Sequence, residues 1–105
     1  MTETVYVERD NTLRRKLLLN DRELEPQEWQ AVNRVSFKIG AREVNTADDP
    51  ELIEHSEGVV TVRAGRLGLS PGGYQAYLTV YDHSRPNGIA WDRFTVVVAD
   101  WPKGT

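Results

Sequence analysis

The stretch from Tyr74 to Ala99 limits the fold more than any other part of this chain. Residues 74–82 alternate: Tyr74, Ala76, Leu78 and Val80 share one side, Tyr77, Thr79 and Tyr81 the other. After a Pro/Gly-bearing connection, residues 89–99 do the same, with Phe94, Val96 and Val98 against Trp91, Thr95 and Val97. A period of two is the signature of a strand, because successive side chains point to opposite faces. The pair reads as a long hairpin, with Asn87-Gly88 supplying the positive-φ positions of its turn. Both faces are apolar or aromatic. A small domain needs one such face for its own core, so the second is available for a partner.

The rest of the chain continues the theme. Residues 4–9 and 12–19 read as strands, with Leu13, Leu17 and Leu19 on one face and Arg14 and Lys16 on the other. Arg15 falls on the leucine face and is expected to snorkel or to lie near a sheet edge. Residues 20–31 break the pattern. Glu25-Pro26-Gln27-Glu28-Trp29 fits one helical turn with Pro26 in the first position, and Trp29 pins it to the edge of the core.

Val35, Phe37 and Ile39 face inward on a strand over 32–39, and 42–45 forms a short one. Asp49-Pro50 starts a second capped turn with Asp49 as N-cap. Gly58 opens a strand over 59–64 with Val60 and Val62 inward, and Leu67 and Leu69 tuck under the Gly-rich turn that follows. Six or seven strands in 105 residues, with turn signals every 8–12 residues and no long helical period, predict one all-β domain. The specific form is an immunoglobulin-like antiparallel β-sandwich, core about 4–99, with a tail over 100–105. Ser70-Pro71-Gly72-Gly73-Tyr74 puts a tyrosine at the start of a late strand. It is either the tyrosine corner of such sandwiches or a plain strand cap.

Composition narrows the chemistry. There is no cysteine, so disulfides, thiolate nucleophiles and Cys-containing zinc sites are excluded. The formal charge of −3 argues against nucleic acid, because phosphate neutralisation asks for a basic excess. No apolar run reaches the roughly 20 residues of a membrane span. Met1-Thr2-Glu3-Thr4 lacks the basic and apolar regions of a signal peptide, so no export is expected. His55 and His83 fall in expected loops, with no strained Gly-x-Ser-x-Gly turn near them. The acids at 48, 49, 51, 54 and 57 lack the spacing of a calcium loop, and helix-start chemistry accounts for Asp49 and Glu51. No catalytic group, cofactor or metal site is expected.

What remains is the outward face. Tyr77, Tyr81, Trp91 and Val97 are expected to form one exposed patch of the kind that marks an interface, with Trp101 on the tail as a second anchor.

The run from Leu69-Ser70-Pro71-Gly72-Gly73-Tyr74 through Tyr81-Asp82, followed by Pro86-Asn87-Gly88-Ile89-Ala90-Trp91, resembles small immunoglobulin-like proteins encoded among tailed-phage structural genes. In pattern it is similar to the N-terminal domain of phage baseplate upper proteins, over about residues 10–98. The resemblance implies a non-catalytic virion protein made in the host cytoplasm. It would be a head decoration, or a tail or baseplate accessory or adaptor, whose partners are capsid, tail or baseplate proteins or further copies of itself. The alternative is a carbohydrate-binding module, since exposed Tyr and Trp on a flat sheet can stack on sugar rings. A third reading, a small enzyme, would need His83 and the acidic segment to converge.

Overall fold

The computed structural model describes residues 2–6 and 9–100. Ten strands and one short helix follow in the order β1 (Thr2–Tyr6), β2 (Leu13–Lys16), β3 (Leu18–Leu19), β4 (Arg22–Glu23), α1 (Pro26–Gln30), β5 (Arg34–Ile39), β6 (Arg42–Asn45), β7 (Ile53–Ser56), β8 (Val59–Val62), β9 (Gly72–Asp82) and β10 (Arg85–Ala99). A single 3₁₀ turn, Ala64–Arg66, leads from β8 towards β9.

One sheet has the order β1-β10-β9-β5-β6 and the other β2-β8-β7; β3 and β4 form a separate ribbon. The chain is an all-β sandwich with the strand order of immunoglobulin-like domains, in which hairpin-paired strands of one sheet alternate with strands of the other. Among the described residues all pairings are antiparallel except that of β1 with β10, which is parallel.

The expected inward sets do build the core. Val35, Phe37, Ile39, Val60, Val62, Ala76, Leu78, Val80, Phe94, Val96 and Val98 are all buried. Phe37 and Phe94 meet across β9 with ring centroids 6.2 Å apart, in the range of favourable tilted aromatic pairs. Burying a side chain of this size contributes about 1.5–3 kcal/mol, so these interior rows dominate the stability. Leu67 is buried and Leu69 half-buried beneath the 65–73 turn. Tyr74 stands at the start of β9 and its hydroxyl donates to the Ser70 carbonyl at 2.6 Å, which is the tyrosine corner rather than a plain cap.

Several local expectations are corrected. The strand expected over 4–9 is resolved as Thr2–Tyr6; Val7 and Glu8 lie outside the described residues. The strand expected over 12–19 breaks at Leu17, whose N–H bonds the Gly58 carbonyl at 2.7 Å. Leu19 therefore leaves the leucine face and is 38% exposed. Asn20 and Asp21, both at positive φ, turn the chain into β4; paired positive φ values are what a type I′ hairpin needs.

The segment 48–57 is not simply a loop. It contains β7, which returns through Glu57-Gly58, again both at positive φ, to pair with β8. His55 thus sits on an edge strand. Asp49 caps no helix: its carboxylate accepts the Asn45 N–H at 3.1 Å, while its carbonyl closes one turn onto Leu52 and Ile53.

The helical turn at Pro26 is present. Glu28 accepts the Glu25 N–H at 2.9 Å, and Arg22 grips both Glu28 oxygens at 2.7 and 3.0 Å. That guanidinium, more than the backbone bond, holds the Glu28 carboxyl down at about 2. Trp29 is half-buried beside Gly58, at the β7–β8 turn.

Candidate binding surface

The outer face of the five-stranded sheet is built from the outward-pointing residues of β10, β9, β5 and β6. In register, one row runs Arg93, Tyr77, Lys38, Glu43 and the next runs Ala90, Thr79, Ser36, Asn45. Tyr77 is 43% exposed at the centre of the first row. Ser36 in the second row is buried although its side chain belongs to the outer face.

Two irregularities in β10 shape this surface. The first lies between Arg85 and Ile89, which oppose Asp82 and Val80, so Pro86, Asn87 and Gly88 pucker against Tyr81. The hairpin turns at His83-Ser84, where the Asp82 carboxylate accepts the Arg85 N–H at 2.8 Å. The Asn87-Gly88 pair, expected at the turn, serves the pucker instead. Gly88 has φ 84°, and a Cβ there would stand 2.5 Å from the Thr79 methyl and 2.7 Å from the Tyr81 ring. Tyr81 also carries the Arg34 guanidinium 4.0 Å from its ring centroid. Tyr81 is therefore half-covered by its own chain.

The second irregularity lies between Ala90 and Asp92, which oppose the adjacent residues Thr79 and Leu78. Trp91 is the extra residue of this bulge. Bulges re-aim side chains, and this one turns Trp91 so that it packs partly on the core and partly lines two hollows. One hollow, of about 700 Å³, is shared with Tyr77, Lys38, Thr79, Ala90 and Arg93. The other, of about 410 Å³, runs towards Arg14, Leu18 and Asp21.

The four residues expected to form one patch thus divide. Tyr77 and Trp91 come together in one groove. Val97 is 37% exposed but stands opposite Gly73, separated from the Tyr77 row by the Gln75–Thr95 pair. Trp101 lies outside the described residues. Leu18, 45% exposed on the β3 ribbon, lines the second hollow and was not anticipated; the signal for its turn outward was Asn20-Asp21.

The electrostatics are graded across the groove. Arg15, inward on β2, reaches Asp92 through Nη2 at 2.6 Å and Glu3 at 3.8 Å, closing the sandwich beside Trp91. Lys38 and Arg93, flanking Tyr77, are exposed and make no ion pair among the described residues. The two histidines sit on different elements. His55 accepts the Gly58 N–H at 3.1 Å, and burial pushes its pKa below the usual value. His83 is exposed in the β9–β10 turn. At the start of the acidic segment Asn45 Oδ1 accepts the Ala47 and Asp48 N–H groups at 2.9 Å, and its Nδ2 donates to Asp48. Among the described residues no group of three or more His, Asp or Glu is placed to hold a metal ion.

No protein-family model, no curated protein and no solved structure matches this chain.

Proposed function

We propose that the chain is a non-catalytic structural protein of a bacteriophage virion, a head decoration or a tail or baseplate accessory or adaptor, that docks through the outer face of β9 and β10. The observation that carries the docking surface is the Ala90–Asp92 bulge, which brings Trp91 beside the exposed Tyr77. Tyr and Trp are the residue types enriched at interface centres, where rigid amphipathic area is gained at low entropy cost. The virion assignment rests on the resemblance carried by Leu69 to Asp82 and Pro86 to Trp91, and an immunoglobulin-type sandwich suits repeated contacts on a symmetric assembly. Fold alone does not fix function, so the site bears the argument.

Binding of the purified chain to purified tailed-phage capsids, tails and baseplates tests this. Saturable binding is expected, lost on Tyr77→Asp; binding that survives the substitution removes the interface.

A carbohydrate-binding module is the second reading. The same groove sets Tyr77 and Trp91 beside Lys38 and Asp92, whose polar groups suit sugar hydroxyls. Glycan-array binding that depends on Tyr77 would move the assignment there.

A further inference from the structure

The row that carries Tyr77 is cationic in a chain whose formal charge is −3. Tyr77 stands opposite Arg93 on one side and Lys38 on the other. Among the described residues Arg15, Lys16, Arg22, Arg66 and Arg85 each pair with a carboxylate. Lys38 and Arg93 do not. Glu43 stands opposite Lys38 on β6 without an ion pair forming.

The opposite charge is concentrated on another part of the chain. Residues 48–57 hold Asp48, Asp49, Glu51, Glu54 and Glu57 and no Lys or Arg, so the formal charge divides into −5 there and +2 over the rest. None of these five carboxylates pairs with a cation among the described residues. The segment runs from the end of β6 through β7, the edge strands of the two sheets on the side away from β10. One molecule thus presents a cationic row around an aromatic centre and, at a separate edge, an unneutralised acidic strip.

Two different complementary patches on one chain make a heterologous contact, which passes from copy to copy instead of closing in a symmetric pair. We propose that copies of this protein associate head to tail, the 48–57 edge of one lying across the Arg93–Tyr77–Lys38 row of the next. This rests on the reading of the β9–β10 face as a docking surface and names a second copy of the chain as an occupant. Tyr77 supplies the desolvated centre and the charges supply orientation and capture rate. Exposed charges are screened over about 8 Å at physiological ionic strength, so the association weakens with salt.

Sedimentation of the full chain over a wide concentration range, at low and high salt, tests it. The mass is expected to rise with concentration at low salt and to fall back at high salt. Lys38→Glu with Arg93→Glu reverses the row, and Glu51→Lys with Glu54→Lys reverses the edge; all four side chains are exposed, so the fold is retained. Each double variant is expected to lose about tenfold or more in association, since like charges are juxtaposed. An equal mixture of the two is expected to associate again. A wild-type mass that stays at the monomer at every concentration overturns the proposal, as does association indifferent to the row substitutions or a mixture that fails to recover. The docking reading is separated by Tyr77→Asp on virion assemblies. A monomeric wild type whose virion binding is lost on Tyr77→Asp overturns self-association alone, and salt-sensitive association with virion binding untouched by Tyr77→Asp overturns the virion contact alone.

Discussion

Arg15 of β2 crosses the interior edge of the sandwich to Asp92 of β10. Its Nη2 and Nε donate to one carboxylate oxygen at 2.6 and 3.2 Å, and its guanidinium carbon lies 4.2 Å from the Phe94 ring centroid. The other Asp92 oxygen accepts the Arg93 N–H at 2.8 Å. The pair ties the three-stranded sheet to the five-stranded one, and both residues line a hollow with Trp91. It explains why a charged residue occupies a leucine-face position: the aliphatic stem and the guanidinium plane cover an aromatic ring while the head reaches a partner at the rim.

Arg15→Ala is expected to destabilise the fold by about 1–2 kcal/mol. The side chains are 20% and 31% exposed, so the ion pair is partly screened and the estimate stays below that for a fully buried pair. Arg15→Met keeps the stem and is expected to recover about half of the loss. Urea unfolding of Arg15→Ala, Asp92→Ala and the double variant measures the coupling; additive losses contradict it.

Tyr74→Phe removes only the corner hydroxyl and is expected to cost about 1 kcal/mol, the net value of one hydrogen bond. Equal unfolding midpoints for the two proteins would mean that the Ser70 bond contributes nothing.

Gly88→Ala meets both a positive φ and a wall formed by Thr79 and Tyr81. The expected cost is about 2 kcal/mol or more, through overpacking added to backbone strain. Gly68, at φ 70° but with open space around a Cβ, is the control and is expected to cost less on substitution by Ala. A Gly88→Ala loss no larger than the Gly68→Ala loss contradicts the pucker over Tyr81.

His55 gives a pH signature. Burial lowers its folded pKa below the ordinary 6.5, so between the two values the unfolded chain binds a proton that the folded chain refuses. The contribution to stability is complete above about pH 6.5 and is lost as pH falls through the folded pKa. Protonation also fills the Nε2 acceptor that holds the Gly58 N–H. Denaturation midpoints measured from pH 8 to pH 5 are expected to fall more steeply for the wild type than for His55→Gln; parallel curves contradict this.

Period-two alternation made the core rows readable. Val35-Phe37-Ile39, Ala76-Leu78-Val80 and Phe94-Val96-Val98 each need one face buried, and each is buried. The tyrosine corner was visible as Pro71-Gly72-Gly73 before Tyr74. The β7 strand was not, because Ile53 is its sole fully buried residue and acids surround it; the Glu57-Gly58 turn was the clue. The Leu18–Glu23 ribbon was hidden in the same way behind Asn20-Asp21. The candidate groove was half legible. Tyr77 follows from alternation, but a bulge resets the phase at Trp91, and the cover over Tyr81 comes from Arg34 and Gly88, which no local pattern joins to it.

Because Trp91 also packs on the core, its substitution mixes stability with docking, and Tyr77 is the cleaner probe. The most direct test is to titrate wild-type and Tyr77→Asp protein onto purified virion assemblies while recording the melting temperature of each protein. The account predicts saturable wild-type binding, its loss in the variant and an unchanged melting temperature. Equal binding by the two proteins would contradict the claim that the Tyr77–Trp91 face is where this protein docks.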